Sequence, residues 1–263
     1  MDKAYKAGED VWVLPSHLSV PAVGVIPINA FLILAKEPVL VDTGIRVDSE
    51  EFLATLKSLI DPEELRWLWL THDDLDHTGS IEEVLSLAPE ARLATHALSA
   101  LRMTTAWNVP MNRVYALSPG DTIDAGDRKL TALRPPLFDN PMSTGIYDDR
   151  NRCFFSVDSF GAVLSRAFVE DVTDLTQQEL QAGMILWETV DSPWAHNLDL
   201  EKFGSALQAV RSLDPATILS SHLPPARGVT ERFLKVLASV PDADPFVAPN
   251  QIAFKEMLAA APT

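Results

Sequence analysis

An apolar run, Leu65 to Leu70, gives way to Thr71-His72-Asp73-Asp74-Leu75-Asp76-His77-Thr78-Gly79, and a helical pattern, Ser80 to Leu87, follows at once. No other stretch restricts the fold as tightly. The run has the length and alternating bulk of a buried strand. A strand that passes into a helix over so few residues cannot spread its side chains widely. His72, Asp74, Asp76 and His77 must therefore converge on one point or splay around it. Two His and three Asp fall within residues 72–77. An elbow so rich in imidazole and carboxylate can supply ligands to two ions. The plainer alternative is a polar loop with an Asp capping the next helix.

The 263 residues suffice for one large domain, and with 47% hydrophobic residues a sizeable core is available. No apolar stretch approaches the length of a membrane span, and Met1 to Lys6 lacks the apolar region of a signal peptide. The net charge of −16 without a Lys/Arg cluster argues against nucleic acid and anionic lipid as partners. The single cysteine, Cys153, excludes an internal disulfide, fits a reducing, cytoplasmic setting and reads as a small core residue.

Strands are expected over Val11–Leu14, Val25–Leu34 and Val39–Val41, the last two joined as a hairpin through Ala35-Lys36-Glu37-Pro38. Asp42-Thr43-Gly44 then breaks the pattern. Asp48 is expected to cap a helix carrying Phe52, Leu53, Leu56 and Leu59 at helical spacing. Arg92–Ala94 is a short strand, and His96 opens a helix as a structural residue. Pro119-Gly120-Asp121 and Ala125-Gly126-Asp127 read as hairpin turns. Thr144–Tyr147 and Arg152–Val157 are further strands. A helix with a solvated acidic face is expected from Phe168 to about Leu186. Leu198–Leu213 is another helix, Ala216–Leu219 a strand, and Val229–Val240 and Gln251–Ala260 a last helix pair. Strands crowd the first half and helices separate the later ones, which predicts an α/β plan with helices outside packed sheets.

The candidate ligands recur at strand ends. His72, Asp74, Asp76 and His77 close one strand, Asp158 another and His222 a third. Polar groups at strand ends of a layered α/β fold gather at one edge of the sheets. An Asp after a strand is often only a turn residue; the joint occurrence is what points to a site.

Thr71 to Gly79 resembles the His-x-His-x-Asp-His signature of the metallo-β-lactamase superfamily, and Val41-Asp42-Thr43-Gly44 is similar to its preceding Asp-Thr-Gly turn. The resemblance covers nearly the whole chain and implies one domain over residues 1–263, an αββα four-layer sandwich with a binuclear metal site along one edge. The second His of the signature is Asp74 here. An acidic residue at that place resembles the flavodiiron branch, as do Cys153-Phe154-Phe155-Ser156-Val157-Asp158-Ser159-Phe160-Gly161 and Ile218-Leu219-Ser220-Ser221-His222-Leu223-Pro224. That branch has a further His before a Pro-Asp-Ser-Met stretch. The similar place, Phe138-Asp139-Asn140-Pro141-Met142-Ser143, puts Asp139 where that His belongs, so a carboxylate replaces an imidazole a second time; Asp139 as a mere turn residue stays open.

Carried over, the resemblance implies that His72, Asp74 and Asp139 hold one ion, Asp76, His77 and His222 the other, and that Asp158 bridges them. Asp42 would support a ligand His from behind. Oxygen-rich ligands favour iron, with manganese or zinc as alternatives. Two chemistries follow. One is a diiron oxidoreductase, or an oxygen- or nitric-oxide-binding protein, acting on oxygen, nitric oxide or a peroxide. The branch usually adds a flavodoxin domain, yet these residues contain no phosphate loop for a flavin, so none is expected in this chain and electrons would come from a separate redox protein. The other is hydrolysis of an ester, thioester, lactone or phosphodiester by a metal-bridging hydroxide, with Asp76 as the catalytic residue that orients the nucleophile or takes a proton. A non-catalytic binding domain on the same scaffold is the third reading. A homodimer stays open. Trp69 and Phe138 wall the site or simply pack, and Trp187, Trp194 and His196 lie in a segment that could cover it.

Overall fold

A computed structural model describes residues 1–260. The first sheet has seven strands in sequence order: β1 (Tyr5–Lys6), β2 (Val11–Val20), β3 (Gly24–Ile33), β4 (Val39–Val41), β5 (Trp67–Trp69), β6 (Arg92–Thr95) and β7 (Val114–Ala116). The second has six: β8 (Thr122–Asp124), β9 (Lys129–Leu133), β10 (Gly145–Asp148), β11 (Cys153–Val157), β12 (Thr217–Ser220) and β13 (Ala226–Arg227), in the spatial order 13-12-11-10-9-8. Helices α1 (Ser49–Leu59), α2 (Ile81–Leu87) and α3 (Ala97–Met103) belong to the first half, and α4 (Gln177–Asp191), α5 (Leu200–Leu213), α6 (Thr230–Ser239) and α7 (Gln251–Ala260) to the second.

The alternation of side chains along each strand builds the layers. Val39, Val41, Trp67 and Trp69 point between the sheets and meet Ile146, Phe155 and Leu219 there. Their neighbours Leu40 and Leu68 point outward onto Phe52 and Leu56 of α1 and Val84 and Leu85 of α2. On the far side Phe154 and Ile218 point outward onto Leu180 and Met184 of α4, Phe203 and Leu207 of α5 and Phe233 and Leu237 of α6. Three apolar layers thus separate four layers of structure, and the expected αββα sandwich is what the chain forms. Cys153 lies buried in the layer between the sheets. Among the described residues, no helix is long and apolar enough to cross a membrane.

Strand direction sets the site. β4, β5, β6 and β7 run parallel to one another, and so do β11 and β12. Parallel strands finish on a common edge, so the segments after β4, β5, β11 and β12 emerge together.

Several elements differ from expectation. The helix expected from Phe168 to about Leu186 starts only at Gln177 and continues to Asp191. Asp171 caps a separate short turn by accepting from Thr173 N, and Thr176 Oγ1 accepts from Glu179 N to begin α4. Asp48 precedes α1 but does not cap it. Its carboxylate instead accepts from Ser16 Oγ and faces the Met1 ammonium at 3.8 Å. Ala125-Gly126-Asp127 does turn the β8–β9 hairpin, whereas Pro119-Gly120-Asp121 carries the chain from the first sheet to the second. β2 extends six residues beyond Leu14 and pairs with β3 along its whole length.

Candidate metal centre

The loop after β5 is held by backbone. Thr43 N donates to His77 O at 2.8 Å, Gly79 N to Gly44 O at 2.7 Å, and Thr144 N to Thr71 O at 2.9 Å. Gly79 is obligatory here: a Cβ would lie 2.3 Å from Ile45 C and 2.5 Å from Gly44 O. Left-handed backbone at Asp42 (φ 59°) turns the chain after β4 and at Val157 (φ 59°) after β11. A β-branched residue in that region costs about 1–3 kcal/mol and persists only where its surroundings hold it. The holding groups are Ser221 N and Ser220 Oγ, which both donate to Val157 O, at 2.8 and 3.0 Å. Beside this irregularity the β11–β12 register shifts, and Asp158 leaves the sheet toward the loop after β5. On the other strand, Asn29 Nδ2 donates to Leu223 O at 2.9 Å and fixes the turn carrying His222.

Three buried imidazoles present Nε2 to one centre. His77 and His222 Nε2 lie 3.1 and 2.9 Å from Asp158 Oδ1, and His72 Nε2 lies 3.5 Å from Asp158 Oδ2. Each Nδ1 faces protein: His77 toward Asp42 Oδ2 at 2.8 Å, His222 toward Pro27 O at 2.8 Å, His72 toward Thr71 Oγ1 at 3.2 Å. A carbonyl can only accept, so His222 Nδ1 carries the proton, and its Nε2 lone pair is available to a cation. Asp42 also accepts from Thr71 N and Thr71 Oγ1, both at 2.8 Å.

The carboxylates complete two groups. Ligand-capable atoms of His72, Asp74 and Asp139 lie within 4.8 Å of one another, as do those of Asp76, His77 and His222. His72, His77 and Asp158 form a third such group between them. Asp73, in the same loop, turns away to Arg102 Nε at 3.0 Å, Ser99 Oγ at 3.1 Å and Asn140 Nδ2 at 3.3 Å. Asn140 Nδ2 also donates to Asp74 Oδ1 at 2.8 Å and so ties the Asp139 loop to the β5 loop.

The electrostatics fit cations. Burial alone would lower His77, but Asp76, Asp42 and Asp158 raise its pKa well above the ordinary imidazole value; His72 is raised too, by Asp158 and Asp74 against burial and His77. Burial opposes ionisation of Asp158, yet His72 and His77 hold its carboxyl well below the usual range. Burial and neighbouring Asp158 push Asp139 up to about 6. Asp158 Oδ2 is buried without a hydrogen-bond partner. An orphaned carboxylate oxygen within a nest of imidazole and carboxylate donors is the place a metal ion would fill. Three imidazoles with an excess of carboxylates suit a pair of oxygen-tolerant divalent ions.

Sequence reasoning missed two groups. α4 ends against the centre. Trp187 Nε1 donates to Asp158 O at 2.9 Å and its ring lies 4.3 Å from that of His222; Gly161 leaves room for the indole. The next residue, Glu188, is fully buried and pushed up to about 8 by burial. Asp191 is pushed up to about 10, by burial first and then by Asp158, Asp139 and Glu188. A signal existed: Leu180, Met184, Trp187 and Asp191 continue one helical stripe, so Asp191 is a charge on an apolar face. Trp194 Nε1 donates to Phe138 O at 2.9 Å, closing the segment after α4 onto the Asp139 loop, while His196 faces Pro241 O rather than the centre. Trp69 packs between the sheets with Nε1 on Thr144 O at 3.2 Å.

Residues 26–222 match the family described as ODP family beta lactamase. The putative diflavin flavoprotein A 2 of Nostoc sp. is 30% identical over 147 residues, 55% of this chain and 25% of that protein. A nitric oxide reductase of Moorella thermoacetica is 27% identical over 164 residues, 61% of this chain and 39% of that one. The chain thus spans a quarter to two-fifths of the length of these curated relatives. The solved structure of rubredoxin oxygen:oxidoreductase from the anaerobe Desulfovibrio gigas superposes with a TM-score of 0.80 at 19% identity, covering 93% of this chain and 63% of that one, a likeness of fold. The chain belongs to the ODP beta-lactamase family, and its two sheets with flanking helices share the metallo-β-lactamase-like sandwich fold of flavodiiron protein cores.

Proposed function

We propose that the chain is a binuclear-metal oxidoreductase, with iron as the favoured metal, that acts on oxygen, nitric oxide or a peroxide using electrons from a separate redox protein. His72, Asp74 and Asp139 would hold one ion, Asp76, His77 and His222 the other, and Asp158 would bridge. Asp158 carries the reading: one oxygen serves His77 and His222, while the other, buried and unpartnered, faces His72. When bound, such a pair supplies electrons and open positions for a small oxidant. The chain's own residues orient and enclose it. Asp42, Pro27 O and Thr71 set the imidazole rings. Trp187 covers the His222 side. Glu188 Oε1 accepts from Phe160 N at 2.7 Å and so holds the turn that follows Asp158. Similarity to a nitric oxide reductase and to an oxygen oxidoreductase favours this chemistry over ester hydrolysis.

The test is metal analysis of protein purified without added metal or air, followed by exposure to oxygen and to nitric oxide with a chemical reductant. Two irons per chain and reductant-dependent consumption of either gas are expected. Two zincs with turnover of an ester or phosphodiester, or no bound metal at all, would overturn the proposal.

A further inference from the structure

Asp191 has no counterpart in the ligand set above. One oxygen each of Asp139, Asp158 and Asp191 lies within 4.8 Å of the others. Beside them lies Asp158 Oδ2, without a hydrogen-bond partner among the described residues, on a side chain 3% exposed, facing His72. One oxygen of Asp191 accepts from Ser192 Oγ at 3.3 Å, and the other has no hydrogen bond among the described residues. The Trp194–Phe138 hydrogen bond, with the two rings 5.2 Å apart, clamps the end of α4 to the loop that carries Asp139. Three carboxylates pressed together in this way, one of them with a buried oxygen that has no donor among the described residues, are arranged as a cation would arrange them.

We infer that Asp191 is a further ligand of the ion assigned to His72, Asp74 and Asp139, an inference that rests on the binuclear reading. It gives that ion one imidazole and four carboxylates, counting the shared Asp158, against two imidazoles and two carboxylates for its neighbour. The two positions therefore differ in hardness. The Asp191 side takes hard, higher-coordinate divalent cations, ferrous or manganous, and disfavours zinc. The helix thereby adds a further oxygen donor beside Asp139.

The experiment titrates metal-free protein with manganous ion, free ion being read by electron paramagnetic resonance, for the wild type and for Asp191→Asn and Asp74→Ala, with thermal melts of each metal-free protein. The wild type binds two ions. Asp191→Asn keeps one and weakens the other at least about tenfold, as Asp74→Ala does. Its metal-free melting temperature does not fall, because Asn keeps the size of Asp and, through its amide oxygen, the hydrogen bond from Ser192 Oγ. Unchanged affinity at both positions, or a lowered metal-free melting temperature with unchanged metal-induced stabilisation, would make Asp191 merely structural and refute the inference, while an effect of Asp74→Ala would leave the binuclear reading standing. Absence of binding by the wild type would instead refute that reading itself.

Discussion

Asp42→Asn is the sharpest probe of how the centre is held. Asn keeps the size of Asp and tolerates the left-handed backbone at φ 59°, so the change is one of hydrogen bonding alone. Oδ1 accepts from Thr71 N, and Oδ2 from Thr71 Oγ1 and His77 Nδ1, all at 2.8 Å. An amide can keep its oxygen on Thr71 N only by turning its NH2 toward His77 Nδ1. That nitrogen must then accept, which moves the ring proton to Nε2, the atom that faces Asp158 Oδ1 at 3.1 Å. A protonated Nε2 has no lone pair for a cation. The opposite rotamer keeps the His77 bond but sets NH2 against the Thr71 N–H. Either way one charge-assisted bond to a buried group is lost, about 2–3 kcal/mol of stability. Disturbing the partner of a metal-bound imidazole costs about 10–100-fold in affinity, or roughly 1.4–2.7 kcal/mol. Competition with a graded chelator measures the affinity and denaturant melts of metal-free protein the stability. Wild-type metal affinity in a variant destabilised by the expected amount would refute the tautomer reasoning. Wild-type values of both would show that Asp42 does not position His77.

Glu188→Gln removes a buried carboxyl that is protonated in the folded chain up to about 8 rather than its ordinary 4.5. A folded-state value above the unfolded one stabilises fully below the unfolded value, and this is lost as pH rises through the folded value, here roughly 5 kcal/mol between about pH 4.5 and 8; denaturant melts of metal-free protein should show the variant losing less stability than the wild type over that window, and equal slopes would count against it. Gly79→Ala forces a Cβ into the backbone at Gly44–Arg46, and a cost of about 3 kcal/mol, with loss of metal retention, is expected in the same melts and in metal analysis; a variant as stable as the wild type would mean the two loops separate freely.

The edge of the sheets was legible because it lies where local patterns change. An apolar strand ending in His or Asp announces itself at Leu70–His72, Val157–Asp158 and Leu219–His222, and parallel pairing does the rest. The end of α4 was not legible for the opposite reason. Val169, Val172 and Leu175 with intervening acids mimic a helical period, although Asp171 and Thr176 start new turns there. Thr176-Gln177-Gln178-Glu179 has the spacing of a capping box, and reading the helix from that point carries its buried stripe on to Asp191. The two-residue strands β1 and β13 carry no periodicity; their pairing depends on partners distant in sequence. Asp73 and Asp74 are indistinguishable by type, and only Arg102 and Ser99, arriving from α3, decide which one turns away.

Charge separates the two chemistries. In the proposed assignment Asp74, Asp76, Asp139 and Asp158 cancel two divalent ions, and the imidazoles add nothing. Asp191 is a fifth carboxyl within reach and Glu188 a sixth close by, on a chain that already carries −16. For a hydrolase this surplus is a handicap. Each added anion weakens the field that acidifies a bound water and polarises a carbonyl. For an electron-transferring pair the surplus is useful. Low-dielectric surroundings strengthen the attraction of Asp191 and its neighbouring carboxylates for a more highly charged pair, so they would favour its oxidised state. The end of α4 thus adds negative charge where the proposed oxidoreductase would use it and a hydrolase would not.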